Sequence, residues 1–257
     1  MKKQKDILRI PTLLLGFVLI LLGGCGDKDD TLKTTFDPSL LIGKTFISSK
    51  VESLRYPTDD VITFVFNSDD LLTVGMNKCI VNQRPERYEQ SVRYTIKGDS
   101  IIGHNNEFDL RGKVESLSEK ELVFNVTFTV DMIPIQVKCI ANHSDINYSE
   151  AILGTWRLED DFKLRFIYTA DGVVKRQIFT LGVWGDVEDG FWGDPVPGLY
   201  YLNGYHIGQN LGETDKPGYN TYTSVFISIE GDWMHMKGYC WQGGEGSKID
   251  TYFIRLK

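Results

Sequence analysis

The chain has 257 residues, with 28 Lys and Arg against 35 Asp and Glu, a formal charge of −7. Four of those cations and one anion fall in the first 24 residues, so residues 25–257 carry a balance of −10, which excludes nucleic acid as the default partner because phosphate binding needs a basic face. At 42% hydrophobic and 12% aromatic, the chain can bury a core and does not read as disordered.

Met1–Arg9 is basic, and Leu13–Leu22 is an apolar run of ten residues. A helix of that length covers about 15 Å, half a bilayer core, so residues 1–24 read as a signal peptide and not as a membrane span. Leu22-Gly23-Gly24-Cys25 closes the run. Those four residues resemble the bacterial lipobox. The resemblance implies cleavage before Cys25, diacylglycerol on its sulfur, and membrane attachment by acyl chains that contribute about 0.8 kcal/mol per buried CH₂. The alternative is a plain secretory peptide. An acidic linker, 25–39, begins with GDKDD at 26–30. A Lys among Asp after such a Cys resembles the surface-export signal of Bacteroidota lipoproteins. It implies a lipoprotein exposed at the surface of the outer membrane; a linker with no signal implies the periplasmic leaflet.

Four stretches then recur in the same order. Leu41-Ile42-Gly43-Lys44-Thr45-Phe46 matches Ile152-Leu153-Gly154-Thr155-Trp156-Arg157-Leu158, and Phe64–Asp70 matches Phe166–Gly172. Tyr94–Ile101 matches Tyr200–Ile207, and Leu117–Phe124 matches Ile229–Met236. The order predicts two copies of one module, 40–142 and 150–257, joined through the polar stretch Ala141–Ser149. Each copy reads as antiparallel β. Phe124, Val126, Phe128 and Val130 alternate with Val123, Asn125, Thr127 and Thr129, and turn signals recur every eight to twelve residues. The expected fold is all-β, two tandem antiparallel barrels or sandwiches.

Gly154-x-Trp156 opening a strand, followed by a meander to the C-terminus, resembles the lipocalin-like domains of Bacteroidota lipoproteins. The resemblance implies that Trp156 lies across the barrel floor. The first copy has Gly43-x-Thr45 instead.

Chemical motifs are few. The four His (His104, His143, His206, His235) show no metal spacing, and no nucleophile elbow, phosphate loop or HExxH motif occurs. The expectation is a binding or structural protein, not an enzyme, with no cofactor and no metal. Cys79 and Cys139, each within Lys-Cys-Ile, are a disulfide candidate. Closing the 59-residue gap between them is worth about 4 kcal/mol; two buried thiols are the alternative. Cys240 reads as a small core residue.

Residues 182–222 are rich in aromatics interleaved with acids and Gly. Trp184, Asp186, Asp189, Trp192, Tyr200 and Tyr205 are the ligand-binding candidates. Flat rings stack on sugars and carboxylates accept from hydroxyls, so glycans or other small ligands, including apolar ones, are the expected partners. Asp186, Glu188 and Asp189 lack the spacing of a calcium loop. The alternative is a hairpin packed over a barrel end in a structural or adhesive protein that acts through protein contacts. The face Phe162, Leu164, Phe166 and Tyr168 is bulky and predicts a filled second barrel.

Overall fold

The computed structural model describes residues 34–53, 61–78, 86–130, 132–186, 198–211, 221–242 and 245–257. In the first module the strands are β1 (Thr45–Glu52), β2 (Thr63–Phe66), β3 (Leu71–Lys78), β4 (Glu86–Lys97), β5 (Ser100–His104), β6 (Phe108–Leu117), β7 (Glu121–Val130) and β8 (Ile133–Ser144). Each pairs antiparallel with the next, and β8 returns to β1 with His143 opposite Phe46, closing a barrel. The polar stretch expected to be linker therefore starts as strand. Asn142 and His143 are needed to pair with Ile47 and Phe46, and the connection proper begins after Ser144.

The second module contains β9 (Gly154–Leu158), β10 (Leu164–Tyr168), β11 (Val173–Thr180), β12 (Val183–Asp186), β13 (Gly198–Asn203), β14 (His206–Leu211), β15 (Thr221–Glu230), β16 (Trp233–Gln242) and β17 (Glu245–Leu256). Here β17 returns to β9, with Arg255 opposite Trp156. β12 and β13 share the edge of β11 that faces away from β10: Gln177 pairs with Asp186, and Val174 with Gly198. They are two pieces of the fourth wall strand, with residues 187–197 inserted between them. The wall is thus an eight-stranded antiparallel barrel like the first. Among the described residues, no strand pairs from one barrel into the other.

All four sequence repeats fall on equivalent strands. The turn after the fourth strand needs a left-handed residue in both copies, and Gly98 (φ 62°) and Gly204 (φ 65°) supply it.

The first barrel is filled along its length. On β7, Leu122, Phe124, Val126 and Phe128 are all 0% exposed, and on β8 Ile135 to Ala141 reach at most 4% at the inward positions. Phe64 meets Phe124 edge to face at 5.4 Å, and Phe128 stacks with Phe108 at 5.7 Å. Each such ring contributes roughly 1.5–3 kcal/mol by burial. Cys139 lies in this core as a free thiol, and burial pushes its pKa up to about 12. Its expected partner, Cys79, lies outside the described residues.

The barrels share a seam. The outward faces of β13 and β14 pack against β1, β2, β3 and β4, burying Tyr201, Asn203 and His206 with Ile47 and Thr63. Asn203 Nδ2 donates to Thr63 Oγ1 at 2.7 Å. Glycine makes the fit possible: a Cβ at Gly208 would sit 2.4 Å from the Tyr201 ring, and one at Gly75 would sit 2.7 Å from that same ring. His206 Nε2 lies 2.9 Å from Ser224 Oγ, its ring meets Tyr201 and Phe226, and Nδ1 is buried without a partner among the described residues. Burial pushes the His206 pKa down to about 3.

Candidate functional site

One end of the second barrel is closed as expected. Trp156 is fully buried and its Nε1 donates to Ile152 O at 2.6 Å. Arg255 faces inward beside it. The guanidinium lies 4.2 Å over the indole and donates to the carbonyls of Leu153 and Ala151. Arg255 was not singled out from the sequence. Strand parity would have found it, since it shares a face with buried Phe253.

Away from this floor the inward positions of the described strands grow more exposed, where a filled second barrel was expected. The inward positions of β10 run from Tyr168, buried, through Phe166 to half-buried Leu164, and Phe162 beyond the strand is 60% exposed. Those of β11 run from Val174 at 0% through half-buried Arg176 to Ile178 at 44%. On β16 and β17, Cys240, Thr251 and Ile249 are half-buried and Ser247 is exposed, although all four face inward by register. Phe166 and Tyr168 fill the lower half, and the small residues at the upper inward positions are Gly238, Cys240 and Ser247 on β16 and β17. Between the halves lies a polar step: Tyr168 donates its hydroxyl to Gln209 Oε1 at 3.0 Å, beside buried Thr223. Burial raises the Tyr168 pKa, so the phenol stays protonated. Among the described residues the upper half is therefore lined by partly exposed side chains, apolar at Leu164, Ile178 and Ile249 and polar at Thr251 and Arg176.

The sequence-predicted site residues do not form one platform. Trp184 and Asp186 stand on the outer wall at β12. Trp184 touches Phe179 at 5.3 Å and is covered on a face by the Arg165 guanidinium at 4.2 Å; Asp186 accepts from Gln177 at 2.7 Å. Tyr200 is inside the barrel, 5.2 Å from Tyr168, with its hydroxyl donating to Thr169 O. Tyr205 is at the turn after β13, against Phe226. Alternation along β13 and the reversal at Gly204 send these side chains to three different places. Asp189 and Trp192 lie outside the described residues, as does Cys25.

A groove of about 710 Å³ also lies on the outer wall of the first barrel, between Glu52, Asn125, Thr127, Gln136 and Lys138. Its lining mixes these polar side chains with Pro134 and Val137. Among the described residues no cluster of His, Cys, Asp and Glu could hold a metal, and no helix is long and apolar enough to cross a membrane. His235 is stacked on Tyr252 at 4.3 Å and bonded to Asp250 at 2.7 Å, on the outer wall.

No family model and no curated protein matches the sequence. Among solved structures the chain is similar to that of a Bacteroides fragilis NCTC 9343 protein provisionally assigned to the outer membrane, at 12% identity. The match covers 85% of this chain and 99% of that one, with a TM-score of 0.24. A likeness of that size bears on neither fold nor function, and the barrels rest on their own strand registers.

Proposed function

We propose that this chain is a lipid-anchored cell-envelope binding protein that takes a small, largely apolar ligand into the open half of its second barrel. The observation that carries the reading is the contrast between the barrels. One is filled throughout, while the other has inward-facing Leu164, Ile178 and Ile249 in contact with water. Exposed apolar surface inside a cup stabilises a ligand by roughly 25 cal/mol per Å² covered. The filled barrel serves as a rigid body against which the binding barrel is seated. On this reading the protein binds and does not catalyse.

The neutral dye Nile red, titrated into the full chain in a non-ionic detergent below its micelle concentration, tests the pocket. Ile178→Asp places a charge on the apolar lining at a position already 44% exposed, so folding is retained. Affinity for the dye is expected to fall at least tenfold, about 1.4 kcal/mol. An unchanged titration would favour the alternative, a structural or adhesive protein. The anchor is tested separately: Cys25→Ala is expected to abolish labelling by a metabolically supplied fatty acid, and label that persists would remove the lipobox from the account.

A further inference from the structure

Arg157 on β9 and Arg165 on β10 stand directly opposite each other on the outer wall of the second barrel. Like charges in that position destabilise a strand pair. Among the described residues, no carboxylate lies within ion-pair distance of either guanidinium. The nearby acids are otherwise placed: Asp186 is held by Gln177, and Glu159 lies two residues beyond Arg157. Arg157 Nε is buried with no hydrogen-bond partner among the described residues.

Arg165, by contrast, is fixed in place. Its Nε donates to Gln177 Oε1 at 2.8 Å, and its plane is held 4.2 Å over Trp184. That arrangement leaves the two Nη groups as a pre-set fork of the kind that accepts an oxyanion bidentately. Lys175 is exposed on the same wall, since it pairs with Ile167 one outward step from Arg165. Among the described residues this repelling and partly rigid guanidinium pair has no carboxylate of its own, in a chain whose balance is −10 after residue 24, and an anion from outside would relieve the repulsion.

We infer that Arg157 and Arg165, backed by Trp184 and Gln177, form a binding site for an acidic glycan, a sugar chain carrying carboxylate or sulfate groups. The oxyanion sits between the two guanidiniums. Gln177 and Asp186 offer hydrogen-bond partners to ring hydroxyls, and the indole edge offers an apolar contact to the ring. This site is on the outside of the wall and is independent of the apolar cup.

The test is titration calorimetry of the full chain in a non-ionic detergent with three hexasaccharides: oligogalacturonate, its methyl ester, and chondroitin sulfate. Binding of oligogalacturonate assigns a carboxylate, and binding of chondroitin sulfate alone assigns a sulfate. In either case binding is expected to weaken with added salt, and Arg157→Gln is expected to weaken it at least tenfold. The galacturonate ester is expected to bind at least tenfold more weakly than any acid that binds. Arg165→Lys keeps the charge without the fork and is expected to lose part of the affinity. Arg157→Gln removes one of two repelling charges, so its Tm is expected to be no lower than that of the wild type. Nile red binding is expected to be unchanged in both variants, which separates this site from the cup. Equal binding of acid and ester, no binding of either acid, or an Arg157→Gln variant that binds like the wild type would overturn the inference.

Discussion

Trp156→Ala is expected to lower the unfolding free energy of the full chain's second barrel by about 3–5 kcal/mol, the usual cost of removing a large buried aromatic. The indole is fully buried, its Nε1 is bonded to Ile152 O, and it is the surface on which Arg255 lies. Without it the Arg255 guanidinium keeps its two carbonyl acceptors but faces a void, so the loss belongs at the upper end of that range. For a module of roughly this size the Tm should fall by about ten degrees or more, read by circular dichroism. Trp156→Phe refills most of the volume but has no N–H to donate, and should recover only part of the loss. A Trp156→Ala protein that melts like the wild type would mean that the floor is not structural.

The second large effect is a dependence of stability on pH centred on His206. Its folded pKa is held down to about 3 by burial in the seam, below an ordinary value of 6.5. Between those values the unfolded chain binds a proton that the folded chain does not. Stability is therefore full above about pH 6.5 and is lost as the pH falls towards 3, by up to about 5 kcal/mol. Carboxylates titrate in the same window, so the informative quantity is the difference between the wild type and His206→Gln. Urea titrations at pH 7 and pH 4.5 are expected to show the wild type losing more stability than the variant. Equal losses would place His206 in contact with water.

Much of the architecture was legible because it is written in local, periodic signals. Alternation at Val123–Val130 predicted β7. The repeat pairing of Tyr94–Ile101 with Tyr200–Ile207 located the turns after the fourth strand of each barrel. Gly154-x-Trp156 placed the floor. What was not legible depended on closure and on contacts distant in sequence. The aromatic richness of 182–222 suggested a single platform. Composition, however, does not say that Tyr200 points inward, that Trp184 points outward, or that β12 and β13 pair along the same edge of β11. Openness was misjudged for a related reason. The bulk of Phe166 and Tyr168 fills only the level of the barrel at which they sit, and the levels above are set by Ile178, Cys240 and Ser247 from strands far along the chain. The seam was invisible because Gly75 and Tyr201, on different barrels and far apart in sequence, meet only when both barrels are assembled.

The chain contains its own probe for the central claim, that one barrel is filled and the other is open. Cys139 and Cys240 both face inward, on β8 of the first barrel and β16 of the second, and both are free thiols. Cys139 is at 0% exposure, whereas Cys240 is only half-buried. Native-state alkylation with iodoacetamide, followed by peptide-resolved mass spectrometry, compares them directly. The account predicts that Cys240 is modified at a rate limited only by its raised pKa, that Nile red slows the reaction, and that Cys139 stays unmodified until the protein is denatured. Two thiols protected alike would contradict it, as would a Cys139 that reacts as fast as Cys240.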